Sequence, residues 1–410
     1  MGDAPGTRGT QRTWVIGVGS LTPEQRRVVN LDTSSHHLVC GPAGSGKTLL
    51  ALHRARHLLE KGVSPDRLRV LVYTKVLREY IKSGVEALEL PHEIVQSFFS
   101  WVFTVAREQR LRLPYAKDFD QRFALALDTV LEHLEQTRPA PFIDVALVDE
   151  GQDLPPKAYR LLTLCARHVT VFADQVQRLY ENGADLAQAV AALGLSRQSA
   201  NLLRNLRNNE KVARVAAAFL PEERREGYLK AGHQLQAGTV RIPAFFRAPS
   251  EDAEWERLAT VVRGEIERNA RVALLLPTNH LVGVTCKRLA AFGVDIDTIV
   301  AWEADRANFN DLTPKALTIH GAKGLSFDSV LLPRLTARAY GRMADTESLL
   351  FVGAARALDW VYLSTTAGEE LPQLKALDAL TASGDLIDLA LRTTVATHKV
   401  AGRDDEDLPF

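Results

Sequence analysis

Short, wholly apolar runs rich in β-branched residues alternate along the chain with longer stretches whose apolar positions recur every three to four residues. HHLVC (36–40), RVLVY (69–73), DVALVD (144–149) and VTVFAD (169–174) read as strands buried on both faces, with helical patterns between them. The alternation restarts after about residue 235, where TVRIPAF, RVALLLP (271–277), VDIDTIV (294–300), KALTIH (315–320) and DSVLLP (328–333) are strand-like. Helical pieces such as AEWERLATVVRGEIER separate them. A βα alternation that occurs twice predicts an α/β protein of two doubly wound lobes, each a parallel sheet flanked by helices. The stretch 97–138 is helical and interrupts the first lobe as a small insertion. We therefore expect a flexible leader at 1–20, a first lobe at 21–220, a second at 221–395 and a frayed acidic tail at 396–410. The polar segment PEERREGYLKAGHQLQAG (221–238) marks the junction.

Composition narrows the class without changing this picture. At 410 residues the chain is too long for one ordinary core. Its apolar fraction of 46% and charged fraction of 24% are those of a globular protein. No apolar run approaches the ~18 residues of a membrane span, so no membrane partner is expected. The leader lacks the apolar segment of a signal peptide, and Cys40, Cys165 and Cys286 form no CxxC pair. They suggest neither a zinc site nor a disulfide framework and fit a cytoplasmic location. A net charge of zero argues against a protein that coats nucleic acid, while leaving room for a local basic groove.

The chemistry begins at GPAGSGKT (41–48), which satisfies G-x-x-x-x-G-K-T between a strand and a helix. Gly41, Gly44 and Gly46 let backbone amides converge on phosphate oxygens at a helix N-terminus, where the dipole also favours negative charge. In that setting Lys47 reaches the β- and γ-phosphates of ATP and the Thr48 hydroxyl ligates Mg2+. A bound magnesium needs a carboxylate at the end of a neighbouring strand, and ALVDEGQD (146–153) supplies one. Asp149 would hold the metal through water, and Glu150 would orient and deprotonate the attacking water.

These residues and the segments that follow them in order resemble superfamily 1 DNA helicases of the UvrD/Rep type. LTPEQRRVV (21–29) is similar to the family's Q motif, implying that Gln25 reads the adenine edge. RVLVYTKVLREY resembles the segment that touches single-stranded nucleic acid through Thr74 and Lys75. FADQVQRLY (172–180) resembles GDxxQSIY and implies Asp174 near the site, Gln177 as γ-phosphate sensor and Tyr180 towards the strand. LRNLRNNEKVARVAAAF (203–219) yields Arg207, LTIHGAKGLSFDSVLL (317–332) yields His320, Lys323 and Gly324, and FVGAARALDWVYLS (351–364) yields Arg356. The resemblance implies two RecA-like P-loop lobes that close on ATP, with Arg207 and Arg356 bringing positive charge to the γ-phosphate.

The chain also departs from the family. Leu206 stands where an aromatic stacks on adenine, Ser326 where a Glu touches the ribose, and Ala355 where a Thr precedes the arginine. Tyr180 is followed by Glu181 and Asn182 rather than soon by a stacking Trp, so track contacts are thinned. Phe98, Phe99 and Trp101 in QSFFSW are candidates to replace that platform, or else the core face of a helix. About 15 residues between VDIDTIV and KALTIH leave no room for the large accessory subdomain of bigger relatives.

The expected function is an ATP-dependent translocase or helicase on single-stranded DNA, moving 3′ to 5′ by resemblance. RNA exposes the same phosphates and π-faces and could serve as the track. The alternative is a nucleotide-gated switch or ATPase subunit of a DNA repair or anti-phage complex, acting with a protein partner and little unwinding of its own.

Overall fold

The computed structural model describes residues 14–42, 44–174, 186–197, 199–202, 204–205, 208–230, 240–341, 343 and 345–389. The chain divides into two compact units, Met1–Arg204 with Ala301–Leu312, and Asn205–Val300 with Thr313–Phe410.

The first unit is a six-stranded parallel sheet. Its strands are β1 (His37–Cys40), β2 (Leu68–Val72), β3 (Val95–Ser97), β4 (Ile143–Val148), β5 (Ala166–Ala173) and β6 (Ala200–Asn201), in the order β3-β2-β4-β5-β1-β6. The helices are α1 (Pro23–Val29), α2 (Lys47–Glu60), α3 (Lys75–Ala87), α4 (Phe98–Glu108), α5 (Phe119–Thr137), α6 (Pro156–Cys165) and α7 (Leu186–Ala192). The near-continuous apolar strands are buried on both faces, as parallel sheets require. Helices α4 and α5 form the expected insertion between β3 and β4. Buried Arg54 of α2 donates to the carbonyls of Val29, Leu31 and Asp32 and to Thr170 Oγ1, which ties the end of α1 to the sheet.

Residues 14–20 are not a free leader. Trp14 stacks on Tyr80 of α3 with ring centroids 5.0 Å apart, its indole N–H donates to Ser83 Oγ, and His53 bonds the Ile16 carbonyl. An aromatic and a buried Val15 repay ordering that a Gly/Thr-rich composition alone does not suggest. The remainder of the expected leader, 1–13, and the acidic tail, 396–410, lie outside the described residues.

The segment Ala301–Leu312 also belongs to this unit, although it lies between two strands of the other in sequence. Phe309 meets Tyr80 edge-on at 5.5 Å, Asp305 pairs with Arg78, and Ala304 is buried. This is the short gap in which bigger relatives were expected to carry a subdomain.

The second unit is a seven-stranded parallel sheet in the order β13-β7-β12-β11-β8-β10-β9. Its strands are β7 (Ala244–Ala248), β8 (Val272–Leu276), β9 (Asp297–Ile299), β10 (Lys315–Thr318), β11 (Phe327–Leu332), β12 (Ala357–Thr366) and β13 (Ile387–Asp388). The helices are α8 (Glu210–Ala218), α9 (Glu222–Lys230), α10 (Glu251–Glu267), α11 (Asn279–Ala291), α12 (Ala337–Tyr340), α13 (Thr346–Ala354) and α14 (Asp378–Ala382). The boundary thus falls at Arg204/Asn205 rather than at 220/221. Helix α8 packs on α13 and β12, and its apolar face (Val212, Val215, Ala216) belongs to this unit's interior. Strand β7 begins at Ala244, after Pro243, which has no amide to donate to a ladder.

Candidate functional site

The phosphate loop lies between β1 and α2. Gly44 (φ 78°) and Gly46 (φ 86°) take the left-handed conformation that side chains disfavour. A Cβ at Gly41 would lie 2.6 Å from Ser45 Oγ and 2.9 Å from Leu202 Cβ, so the loop is closed to side chains there. Buried Lys47 donates to the carbonyls of Gly41 (2.9 Å) and Pro42 (3.0 Å) and stands 3.5 Å from Asp174 Oδ2. Thr48 Oγ1 donates to Asp149 Oδ2 at 2.6 Å.

Strand order explains how these groups meet. Asp149 does not follow the strand next to β1, because β5 lies between β1 and β4. Asp174, just past the end of β5, fills that intermediate place and faces Lys47. The side chains of Thr48 and Asp149 bridge the remaining distance. Sequence order alone does not reveal which parallel strands are neighbours.

Glu150 follows with a left-handed backbone (φ 53°), a conformation that costs a non-glycine residue roughly 1–2 kcal/mol. Two neighbours hold it. Gln152 Nε2 donates to Glu150 Oε2, while Gln152 Oε1 accepts from the Asp174 amide at 2.9 Å. Tyr159 Oη donates to the Gly151 carbonyl at 2.6 Å. Gln152 therefore spans the two acidic turns, a positioning role that the letters DEGQD carried but that was not assigned to it.

Gln25 closes the site from α1. Its Oε1 accepts from the Thr22 amide, Thr22 Oγ1 accepts from the Gln25 amide, and Gln25 Nε2 donates to the Ser45 carbonyl at 3.1 Å. This capping box braces the phosphate loop and leaves one amide hydrogen of Gln25 for other use.

The arrangement fits a magnesium-bound phosphate group. Asp149 Oδ1 and Ser45 Oγ are buried with no hydrogen-bond partner among the described residues. Burial first, and Glu150 next, push the Asp149 carboxyl up to about 7, against the Thr48 hydrogen bond and the Lys47 charge. A buried acceptor of this kind beside a threonine hydroxyl suits a hard cation with oxygen ligands.

Of the residues expected to meet single-stranded nucleic acid, Thr74 caps α3 by accepting from the Leu77 amide at 3.0 Å, and Lys75 is exposed in the first turn, which holds no carboxylate. Phe98 is only 1% exposed and packs against Trp101 and Phe123, so it is a core residue and is not available to stack on bases. Phe99 is half-buried between Tyr73 (5.2 Å), Phe119 (5.5 Å) and Phe123 (4.3 Å). Gln177 and Tyr180 lie outside the described residues.

In the second unit, β10 runs into the turn that carries His320, Lys323 and Gly324 (φ 84°). Thr318 Oγ1 accepts from the Gly321 amide at 3.0 Å. His320 is half-buried, and burial first, then Lys323, hold its pKa down, which favours the neutral ring. Arg356 is buried between α13 and β12, and its Nε donates to the Val352 carbonyl at 3.0 Å. Arg207 and Leu206 lie outside the described residues. Their neighbour Asn208 donates to the carbonyls of Ala355 (3.2 Å) and Ala357, one on each side of Arg356. Asn209 caps α8 and donates to the Asp359 carbonyl at 2.7 Å. These two asparagines join the motif segments of Arg207 and Arg356. Only their repetition in LRNLRNNE could have drawn attention to them.

Comparison with known proteins bears on the class. Residues 21–89 match the family model of the UvrD/REP helicase N-terminal domain, and residues 315–364 match that of the UvrD-like helicase C-terminal domain. Each unit thus carries a segment of UvrD/Rep helicase type, and such domains belong in general to ATP-hydrolysing, nucleic-acid-binding helicases. Among solved structures it is similar to the C-terminal domain of a possible DNA helicase from Lactobacillus plantarum WCFS1. That likeness has 15% identity and a TM-score of 0.36 over 45% of this chain and 98% of the other, too loose to add weight. No curated protein matches the chain. Among the described residues, no helix is long and apolar enough to cross a membrane.

Proposed function

We propose that the chain is a motor that hydrolyses ATP to step along single-stranded DNA in the 3′ to 5′ direction. The observation that carries this reading is the grouping of Lys47, Thr48, Asp149 and Asp174 just beyond the carboxyl ends of β1, β4 and β5, in a chain of UvrD-like domains.

Lys47 exchanges the Gly41 and Pro42 carbonyls for the β- and γ-phosphates, a short shift for a point cation already in the loop. Thr48 and Asp149 are the residues that would hold magnesium, whose charge, when bound, neutralises phosphate oxygens. Glu150, oriented by Gln152, accepts a proton from the attacking water. Gln177, Arg207, Arg356, Lys323 and Gly324 are proposed to read or stabilise the γ-phosphate and the nucleotide. Gln25 braces the loop and offers its second amide hydrogen to adenine. Thr74, Lys75, Tyr180 and His320 are proposed to face the strand, largely through phosphate contacts.

The test is ATP turnover by the purified chain with and without single-stranded DNA, single-stranded RNA and duplex. Stimulation of at least tenfold by single-stranded DNA is expected. Turnover that is silent, or equal under all conditions, would overturn the motor reading in favour of a nucleotide-gated switch working with a protein partner.

A further inference from the structure

The helical insertion carries a surface that the motifs do not account for. Between the end of α4 and the first turn of α5, the segment REQRLRLPYAKDFDQR (107–122) holds five cations against three carboxylates. Among the described residues, none of Arg107, Arg110, Arg112, Lys117 or Arg122 makes an ion pair, whereas Arg160 of α6 pairs with Glu135 and Arg214 of α8 pairs with Glu210 and Asp385. Two of the three carboxylates are committed elsewhere. Asp118 caps α5 by accepting from the Gln121 amide at 3.0 Å, and Asp120 sits in that helix's first turn, where the dipole offsets its charge.

Two exposed aromatics stand among these cations. Tyr115 is 84% exposed and Phe119 is 51% exposed, while most large apolar side chains of the unit are buried. Arg110 adds a left-handed backbone (φ 55°) at the end of α4, a place where glycine would be cheaper. The patch is also continuous with the expected strand contacts. Phe119 meets Phe99 at 5.5 Å, Phe99 meets Tyr73 at 5.2 Å, and Tyr73 directly precedes Thr74 and Lys75.

We infer that residues 107–122 form a second single-strand contact, in which Tyr115 and Phe119 stack on bases and the arginines and Lys117 take the phosphates. Cations without carboxylate partners, interleaved with exposed π-faces, are what a single strand requires, since stacking tolerates any base and phosphates supply the charge. A duplex hides its base faces and would leave Tyr115 unused. This contact rests on the motor reading above and replaces the platform lost after Tyr180.

The test uses the full chain and a fluorescein-labelled oligo(dT) of about 20 nucleotides, with anisotropy read between about 50 and 200 mM salt. Tyr115→Ala is expected to weaken binding about five- to 150-fold, the range of one base–aromatic stack, and Tyr115→Phe to restore it. Neutralising Arg110, Arg112 and Lys117 together to Gln should lower the salt slope by about 2, at ~0.7 per phosphate on a single strand. Melting temperatures verify that the variants are folded. Wild-type binding that Tyr115→Ala and the triple variant leave within about twofold would overturn the patch alone and leave the loop to a protein partner. Failure of the wild type to bind any single strand would overturn the motor reading and the patch together.

Discussion

The phosphate-facing turns and the helical insertion lie in the same unit and are built on opposite terms. At the turns after β1, β4 and β5, most functional side chains already have a partner. Lys47 is tied to two carbonyls, Thr48 to Asp149, Glu150 to Gln152 and Gln25 to Ser45. The insertion has a settled aromatic core around Phe98 and Phe123 but leaves its loop cations and Tyr115 open to solvent. Chemistry that must be positioned to a fraction of an ångström is preorganised by its neighbours. Contacts with a flexible strand need exposed charge and π-faces, and these tolerate relocation from one loop to another.

The sharpest break of this comparison lies at the turns. Lys47→Ala should lower ATP turnover by on the order of 10³-fold or more, because the cation at the β- and γ-phosphates is lost. Glu150→Gln should stop hydrolysis while nucleotide still binds, as read by equilibrium binding of a fluorescent ATP analogue. Hydrolysis by Glu150→Gln at the wild-type rate would remove Glu150 from the role of base.

Phe98→Ala separates core from track in the insertion. We expect it to destabilise the first unit by about 3–5 kcal/mol, the usual cost of emptying a buried aromatic site. Strand affinity, measured where the variant is still folded, should stay within about twofold of wild type. A selective loss of strand binding at unchanged stability would return Phe98 to the nucleic-acid interface.

The smallest expected effect concerns the preorganisation itself. The Asp149 carboxyl is raised by burial and by Glu150, so the folded chain binds that proton more tightly than the unfolded chain does. Ionised Asp149 therefore costs stability, increasingly as pH rises from about 4 and fully above about 7. Asp149→Asn should lose Mg2+–ATP protection against heat, yet melt about 2–4 °C higher than wild type without nucleotide at pH 8. The difference between the two proteins should shrink at pH 5. A variant that melts lower at pH 8 would show that the carboxylate is structural rather than held ready for a cation.

Much of this was legible in the sequence where local backbone chemistry dictates the residue. The glycines of GPAGSGKT are demanded by loop geometry, and the apolar runs before Gly41 and Asp149 are demanded by burial on both faces of a sheet. What depended on long-range pairing was hidden. The place of β5 between β1 and β4 decides that Asp174 meets Lys47, and nothing in either segment encodes it. Strand β12 was hidden because WVYLSTT continues a motif already assigned. For Phe98 the signal was present. Phe98, Trp101, Val102, Val105 and Ala106 fall at i, i+3, i+4, i+7 and i+8, the spacing of a helix face turned inward, and all five are buried. Tyr115, directly after Pro114 and beyond the end of α4, lies outside that face and is exposed.

The central claim is that ATP hydrolysis moves this chain along a single strand. It is tested most directly by the arrival of the protein at a fluorophore on the 5′ end of oligo(dT) strands of increasing length, after ATP is mixed with prebound protein. Arrival times should lengthen in proportion to strand length, require ATP, vanish in Glu150→Gln and be absent when the fluorophore is at the 3′ end. Arrival times independent of length, or signals that persist in Glu150→Gln, would contradict the account.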